Sequence, residues 1–407
     1  MRDDSARRIR WYPVAVIAVL VAVLAAGTVA NLRRNPQPQL VADGIPGRPL
    51  PAASTLTAAS PLSASSDLVR YALADLDALT LPNGATLAGW DGPWRYVWPR
   101  DASFVAAAYC SVGRYAEAAG VLGFLDQVRP SAGRWAARYS AEDGKVIEDG
   151  REDQLDGSGW VPWATWFCGR DLSRYWPMVK QSADQIVAEL GPDGLPAASP
   201  DYWERPENEV TLGTVAPLLT GLRAGIAIAR TLGHRTELDS WQNALDRLSK
   251  ATDTAFGPEY PRTPARAVSA LEPGLGRSRI GGGADAIVTV LGPPFAPERA
   301  EVRTAIERTH GVLTLPNGGV TPGEQWRADG VAWTPQTALF ALSAAARGDR
   351  ETATDLLRWI DDHRTPSGAI PEKVNRDLQP AGEAPLGWTS AIVVLTVAAL
   401  DRPLPTP

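Results

Sequence analysis

The chain has 407 residues, a formal net charge of −6 and 44% hydrophobic residues, which is enough apolar material for a large buried core. This mildly acidic balance, without any basic tract, argues against nucleic acid as a partner. The histidines His234, His310 and His363 are isolated and lack metal-ligand spacing, so we predict neither a metal site nor a cofactor.

The first 65 residues differ in composition from the rest of the chain. Residues 1–10 carry four arginines and precede an uncharged, apolar run at 11–30 whose length suits a membrane span. The charge bias predicts a cytoplasmic N-terminus and a cell-membrane protein with a single span, the remainder lying outside the cytoplasm. The alternative is secretion after signal cleavage, since residues 28–30 resemble a small-residue cleavage site. Residues 31–65 are rich in Pro and Ala and are predicted to form an extracytoplasmic linker.

Beyond residue 66 the apolar residues recur at three- and four-residue spacing, interrupted by Gly and Pro. Helices are predicted near 66–80, 101–113, 114–128, 158–170, 171–190, 209–232, 235–255, 283–292, 298–310, 331–347, 350–364 and 386–401. The Val and Ile content of 283–292 would equally suit a strand, and a short strand is predicted around 94–98. Twelve paired helices favour an all-α (α/α)6 barrel over residues 66–407. No repeat of fixed period supports a solenoid, the structural alternative.

Two cysteines, Cys110 and Cys168, lie in this part of the chain. They could form a disulfide in an oxidising compartment, or each could be a small buried apolar residue, and spacing does not decide between the two. The 15 tryptophans are more numerous than the tyrosines or phenylalanines. Their broad rings and single N–H donors suit stacking on sugars, although core packing explains many of them.

Two carboxylates are candidates for acid–base chemistry. Glu204 lies in DYWER beside Trp203, whose ring could supply the apolar wall that keeps a general acid protonated, whereas Arg205 could oppose this by pairing with it. Glu372 lies in PSGAIPEKVN, a loop between two predicted helices. Each could also be an ordinary surface charge. Glycoside hydrolysis needs such a pair, one group to protonate the leaving oxygen and one to activate water.

Three clusters of Trp, Asp and Gly each lead into a predicted helix: YVWPRDAS, EDQLDGSGWVPW and EQWRADGVAW. In the first, Asp101 could simply cap a helix. Combined with Arg100 and Trp98, however, it forms the acceptor, donor and stacking surface that a sugar ring requires. The recurrence of the pattern favours a saccharide pocket over three unrelated caps.

Taken in chain order, these segments and the ending IPEKVN…PLGWTSA resemble glycoside hydrolase family 15, the glucoamylase and glucodextranase family. The resemblance covers nearly all of residues 66–402. It implies an exo-acting, inverting enzyme that removes terminal glucose from α-linked oligo- or polysaccharides, with Glu204 as general acid and Glu372 as general base. The further positions that it implies as substrate contacts are Trp98, Arg100, Asp101, Asp156, Asp201, Trp203, Arg205, Arg327, Trp333 and Trp388.

The sequence departs from the family at Lys373, where a Gln usually follows the base, and at Arg205, where fungal members have a second acid. These departures leave the substrate open. An inactive, membrane-anchored protein that binds glycan is one alternative. A glycosidase of the same fold with trehalase-like or dextran-cleaving specificity is another.

Overall fold

The structure is a computed structural model that describes residues 37–48, 66–264, 266–267, 279–280 and 282–407. The predicted membrane span at 11–30 lies outside these residues. Helices α1 to α6 are Ser66–Leu79, Pro99–Ser111, Tyr115–Val128, Gly157–Cys168, Leu172–Glu189 and Leu212–Leu232. Helices α7 to α11 are Arg235–Phe256, Ala300–Leu313, Thr334–Ala346, Arg350–Asp362 and Gly387–Asp401. Two 3₁₀ helices lie at Gly92–Trp94 and Ala286–Leu291.

The helices form two concentric rings. Helices α2, α4 and α6, the 3₁₀ helix Ala286–Leu291, and helices α9 and α11 pack side by side in that order, and α11 closes the inner ring against α2. Each inner element is covered from outside by the helix that follows it in the chain; the exception is α11, which is covered by α1. The described residues thus make a closed ring of six helical pairs, the arrangement predicted from the sequence.

The two rings have different residue patterns because they have different surroundings. All 13 residues of α2 are buried, and α11 is buried from Gly387 to Ala399, as expected for helices with protein on every side. The outer helix α7 instead buries a stripe at three- and four-residue spacing that includes Trp241, Ala244 and Leu248. Among the described helices, α6 is long and apolar enough to cross a bilayer, but 89% of its most apolar window is buried inside the protein.

Two of the predicted elements differ from the structure. The segment predicted at 283–292 is a 3₁₀ helix, capped by the Asp285 side chain, which accepts a hydrogen bond from the Ile287 backbone N–H at 2.9 Å. The strand predicted around 94–98 is wrong. That stretch has a 3₁₀ turn followed by a single bridge between Val97 and Tyr139, because Pro99 starts α2 immediately afterwards.

Short strands are confined to the long loops. Strands β1 (Arg266–Ala267) and β2 (Arg279–Ile280) pair antiparallel. Strands β3 (Ala332–Trp333), β4 (Lys373–Val374) and β5 (Pro380–Ala381) form a three-stranded antiparallel sheet in the order β3–β4–β5.

Residues 37–48, which fall within the predicted linker, lie along the barrel, and we call them the strap. The Val41 N–H donates to the Gly382 carbonyl, and the Gly382 N–H donates to the Gln39 carbonyl, both at 2.9 Å. Near its end, Arg48 donates to the Ser367 carbonyl at 2.8 Å and forms a buried ion pair with Asp75. The strap therefore reinforces the loop between α10 and α11, which carries Glu372.

Cys110 and Cys168 form a disulfide between the C-terminal ends of the neighbouring inner helices α2 and α4. The cross-link closes a loop with a sequence separation of 58 residues. A cross-link over this separation reduces the conformational entropy of the unfolded chain, which stabilises the folded protein by about 4 kcal/mol.

We expect the double variant Cys110→Ala/Cys168→Ala to lower the free energy of unfolding by about that amount, measured by urea denaturation of the full chain. Wild-type protein treated with a reductant should reach the same lowered midpoint. An unchanged midpoint in both samples would contradict a stabilising disulfide. Retained ligand binding in the folded variant is also expected, because the disulfide lies at the opposite end of the inner helices from the cavity described below.

Candidate active site

A cavity of about 340 Å³ opens at the ring end where the inner helices begin, within the usual range of roughly 300–1,000 Å³ for small-ligand pockets. The loops before α2, α6, α9 and α11 all contribute to its walls. Its lining includes nine of the predicted site residues: Trp98, Arg100, Asp101, Trp203, Glu204, Arg327, Trp333, Glu372 and Trp388. The cavity thus unites segments that are far apart in the sequence.

Arg100 occupies the buried part of the cavity wall. Its guanidinium lies 3.0 Å from the Asp101 carboxylate, 3.2 Å from Glu204 and 3.9 Å from Asp156, and it stacks over the Trp388 ring at 4.7 Å. Burial alone would lower the pKa of Arg100, but the three carboxylates outweigh burial and raise it. Arg100 is therefore a permanent, fixed cation.

The buried carboxylates around Arg100 do not behave as ordinary surface acids. Burial raises the pKa of Asp101, and Arg100 opposes the rise. Burial also raises the pKa of Asp156 to about 7, again against Arg100. Asp156 lies just before α4 and is absent from the cavity lining, so it acts on the site through Arg100.

Glu204 is presented by a tight turn. Its N–H donates to the Asp201 carbonyl at 2.8 Å, and its φ of 55° is in the left-handed region that non-glycine residues seldom adopt. Such backbone strain persists only where the surroundings fix it. Here buried Asp201 holds the strained backbone of the turn in place. Its carboxylate accepts hydrogen bonds from the Trp203 N–H at 2.9 Å and from Thr211 Oγ1 at 2.6 Å. It also forms an ion pair with buried Arg262 at 2.9 Å.

Arg262 links this turn to the rest of the barrel. It pairs with Asp285 at 2.8 Å and with Glu207 at 2.6 Å, and its guanidinium stacks on the Trp203 ring at 3.6 Å. The predicted contact residue Asp201 is fully buried and does not line the cavity. Its observed partners make it a support for the turn that carries Glu204.

Both oxygens of Glu204 face guanidinium groups. Arg100 Nη1 donates to Oε1 at 3.2 Å, and Arg151 Nη1 donates to Oε2 at 2.8 Å. The adjacent Arg205 does not pair with it: Arg205 stacks over the Trp203 ring at 4.4 Å and approaches Glu207 at 3.4 Å. Arg205 lines a smaller cavity of about 130 Å³, which adjoins the first and shares Arg151 and Glu204 with it.

Glu372 directly precedes β4, on the loop before α11. Its N–H donates to the Glu383 carbonyl at 2.7 Å, and its own carbonyl accepts from the Thr334 N–H at 3.0 Å. Glycine is needed at position 382, where φ is 73° and a Cβ would lie 2.5 Å from Glu372 Oε2. The ammonium of Lys373 lies 3.0 Å from that same oxygen and 4.3 Å above the centre of the Trp333 ring. The carboxylate is thus buried and held beside a cation.

Several residues that face the cavity were not singled out as contacts from the sequence. Trp326 belongs to the quoted segment EQWRADGVAW, Arg151 directly precedes EDQLDGSGWVPW, and Trp94 is the last residue of a 3₁₀ helix. Glu383 is fully buried behind Glu372 and accepts a hydrogen bond from the Asp91 N–H at 2.9 Å; burial raises its pKa. In the described part of the chain, no group of three or more His, Cys, Asp or Glu side chains is arranged to hold a metal ion.

The fold is similar to those of glycosidases and glucoamylases of known structure. The structure aligns with one solved glycosidase at a TM-score of 0.67 and 21% identity, covering 82% of this chain and 96% of that one. It aligns with the glycoside hydrolase family 15 glucoamylase from Hypocrea jecorina at a TM-score of 0.61 and 14% identity, covering 84% and 72% of the two chains. At these identities the likeness establishes the fold.

The sequence comparison points to the same class. An uncharacterized glycosyl hydrolase of Methanocaldococcus jannaschii is 20% identical over 334 residues, which cover 76% of this chain and 51% of that protein. The chain therefore spans about half the length of this curated relative. No family model matches the sequence. The resemblance to glucoamylases that the motifs predicted is confirmed by the structural neighbours, at the level of fold.

Proposed function

We propose that the protein is an exo-acting, inverting glycoside hydrolase that releases terminal glucose from α-linked glucosides. The observation that carries this proposal is that Glu204 and Glu372, on loops before two different inner helices, line one cavity with aromatic walls. Glycosidic bonds are cleaved by such pairs. The glycosyl hydrolase relative and the glycosidase neighbours support the reaction class.

In the proposed reaction, Glu204 gives its proton to the glycosidic oxygen while the bond from C1 to that oxygen breaks. Glu372 takes a proton from a water molecule, whose oxygen forms the new bond to C1 on the opposite face of the ring. Inversion needs the two carboxyl groups about 6.5–9.5 Å apart to leave room for that water. Arg100 and Asp101 would hold the terminal sugar and close the cavity at its buried end, which favours removal of single sugars.

We also propose that the barrel acts outside the cytoplasm, held by the predicted span at 11–30. The disulfide between Cys110 and Cys168 supports this, because disulfides persist mainly in oxidising compartments. One observation favours the alternative of a glycan-binding protein without activity: the Lys373 ammonium lies 3.0 Å from the carboxylate proposed as base. An ammonium there could hinder the uptake of a proton from water.

The test incubates the full chain with α-1,4, α-1,6 and α,α-1,1 glucosides and follows the released sugar by proton NMR from the first minutes. We expect early β-glucose from one linkage, because water attacks the face opposite the leaving group. Early α-glucose would keep the glycosidase but overturn Glu372 as a water-activating base. Saturable glycan binding without any release would favour the binding protein, and mainly internal fragments from a long glucan would overturn the exo assignment.

A further inference from the structure

The surroundings of Glu204 conflict with its proposed role. A general acid must carry a proton on the oxygen that faces the leaving group. Guanidinium groups only donate hydrogen bonds, and here one guanidinium faces each oxygen of Glu204, at 3.2 Å from Arg100 and 2.8 Å from Arg151. This arrangement suits an ionised carboxylate. One of the two arginines must therefore withdraw before Glu204 can act as an acid.

Arg151 is the one that can move. Arg100 is buried, faces three carboxylates and stacks on Trp388, so its withdrawal would leave several buried charges unpaired. The Arg151 side chain is 36% exposed, and its other carboxylate partner, Asp149 at 3.2 Å, lies two residues away on the same loop. Arg151 can thus swing away from Glu204 while keeping one partner.

The charges around the cavity indicate what could draw Arg151 away. The cations of the lining are Arg100, Arg151, Arg327 and Lys373, and its carboxylates are Asp101, Glu204 and Glu372. Outside the lining, Asp156 and Asp149 also pair with Arg100 and Arg151, so once Glu204 carries a proton Arg327 is the lining cation without a carboxylate partner among the described residues. Arg327 is exposed and makes no ion pair with any other residue that the structure describes. A substrate with a negative charge would offset this unpaired charge and offer Arg151 a bidentate partner in place of Glu204.

The position of Arg151 indicates which part of the substrate would carry the charge. Arg100 takes the oxygen of Glu204 on the buried side, where the terminal sugar is proposed to bind. Arg151 takes the other oxygen, and it lines both the main cavity and the smaller cavity beside it. A group that reaches Arg151 therefore belongs to the leaving group.

We infer that Arg151 is a gate on Glu204 that an anionic leaving group opens, so that the preferred substrates are α-glucosides whose leaving group carries a carboxylate or a phosphate. This inference rests on the proposed function. Without such a group, Arg151 keeps its hydrogen bond to Glu204 Oε2, and that oxygen faces a donor rather than the leaving group. With it, the guanidinium pairs with the leaving group, and Glu204 gains the proton that it then gives to the glycosidic oxygen.

The experiment compares the full chain on α-glucosides of glycerol, glyceric acid and glycerol phosphate, with kcat/KM measured from released glucose at low and high salt. We expect wild-type kcat/KM to be about tenfold higher or more for at least one anionic glucoside, with the advantage shrinking at high salt. Preference for one anion alone identifies whether carboxylate or phosphate is recognised. Equal kcat/KM for all three glucosides would overturn the inference while leaving the glycosidase intact, and no release from any glucoside would overturn both.

The variant Arg151→Gln tests the assigned residue, with Arg358→Gln as the matched control. Arg358 is 61% exposed on the outer helix α10 and pairs with Asp355, so its loss removes one positive charge away from the cavity. In Arg151→Gln the ratio of kcat/KM for the anionic glucoside to kcat/KM for the glycerol glucoside should fall to about two or less. In Arg358→Gln this ratio should stay at the wild-type value. A wild-type ratio in Arg151→Gln would overturn the assignment of Arg151 as the residue that controls Glu204.

A pH profile separates the gate from a merely structural role of Arg151. In Arg151→Gln, Glu204 still faces Arg100 and lies near Asp101 and Asp156, but it loses the cation on its outer oxygen. Loss of a neighbouring cation favours the neutral form of a carboxyl group. We expect the alkaline limb of kcat/KM for the neutral glycerol glucoside to move to higher pH. An unmoved limb would show that Arg151 does not control the acid.

Discussion

Replacement of Glu204 by glutamine should lower kcat for alkyl α-glucosides by about two to four orders of magnitude, the usual contribution of a positioned general acid. Glutamine keeps the size of the side chain and its hydrogen-bonding oxygen but has no proton to give. The KM should change little, because Arg100 and the aromatic walls that would hold the sugar are untouched. Both kcat and KM are measured from glucose release by the purified variant at the pH optimum of the wild type.

The matched substrate for this variant is α-glucosyl fluoride, whose leaving group departs without a proton. We expect the Glu204→Gln variant to hydrolyse it at nearly the wild-type rate. The exposed carboxylate Glu142, which is outside the cavity lining, gives the control variant Glu142→Gln, with wild-type rates on both substrates. Equal losses on glucosyl fluoride and on alkyl glucosides would remove Glu204 from the role of acid.

Replacement of Glu372 by alanine should lower kcat by a similar factor on every substrate, glucosyl fluoride included, because water then lacks a base whatever the leaving group. The smaller side chain leaves space beside Gly382, where Glu372 Oε2 lies in the native protein. Azide, a nucleophile that needs no base, should enter this space and restore part of the rate. The product should be β-glucosyl azide, identified by proton NMR.

The azide experiment tests on which face of the ring Glu372 acts. The β-azide signifies attack from the side where Glu372 stood, and early β-glucose from the wild type then separates a water-activating base from a nucleophile. The α-azide would instead signify a covalent route through a different carboxylate and would contradict the proposed base. Azide should not rescue Glu204→Gln on alkyl glucosides, since that variant lacks an acid rather than a base.

The barrel was largely predictable because its helices have strong local signals. The predicted and observed bounds of α7, 235–255 and Arg235–Phe256, agree because a three- and four-residue apolar stripe runs between Gly233 and the Gly257-Pro258 pair. The segment at 283–292 escaped a clear assignment because Val and Ile fit several backbone conformations. Its 3₁₀ form depends on an Asp285 cap and on two neighbouring inner helices, which are tertiary features.

Much of the cavity lining was predictable from the sequence, but its ion pairs were not. Trp203 and Glu204, which line the cavity, belong to the short motif DYWER. The partners of Glu204 could not, since Arg151 lies 53 positions earlier in the chain and Arg100 lies 104 positions earlier. In the same way, Asp201 was predicted as a sugar contact because the motif contains it, whereas its buried pairing with Arg262 depends on a segment 61 residues away.

The position of the strap determines how the cavity entrance would face a membrane that holds the N-terminal segment. Gln37 donates to the Asp329 carbonyl at 3.2 Å and accepts from the Arg376 N–H at 2.9 Å, so the strap begins among the loops that carry Arg327 and Glu372. If residues 11–30 hold the protein in a membrane, the tether reaches the barrel at the rim of the cavity rather than at its far end. The entrance would then be turned toward the lipid surface, within the reach of the six residues, 31–36, that separate the predicted span from the strap. Sugars attached to the envelope would meet the rim before sugars arriving from the bulk medium.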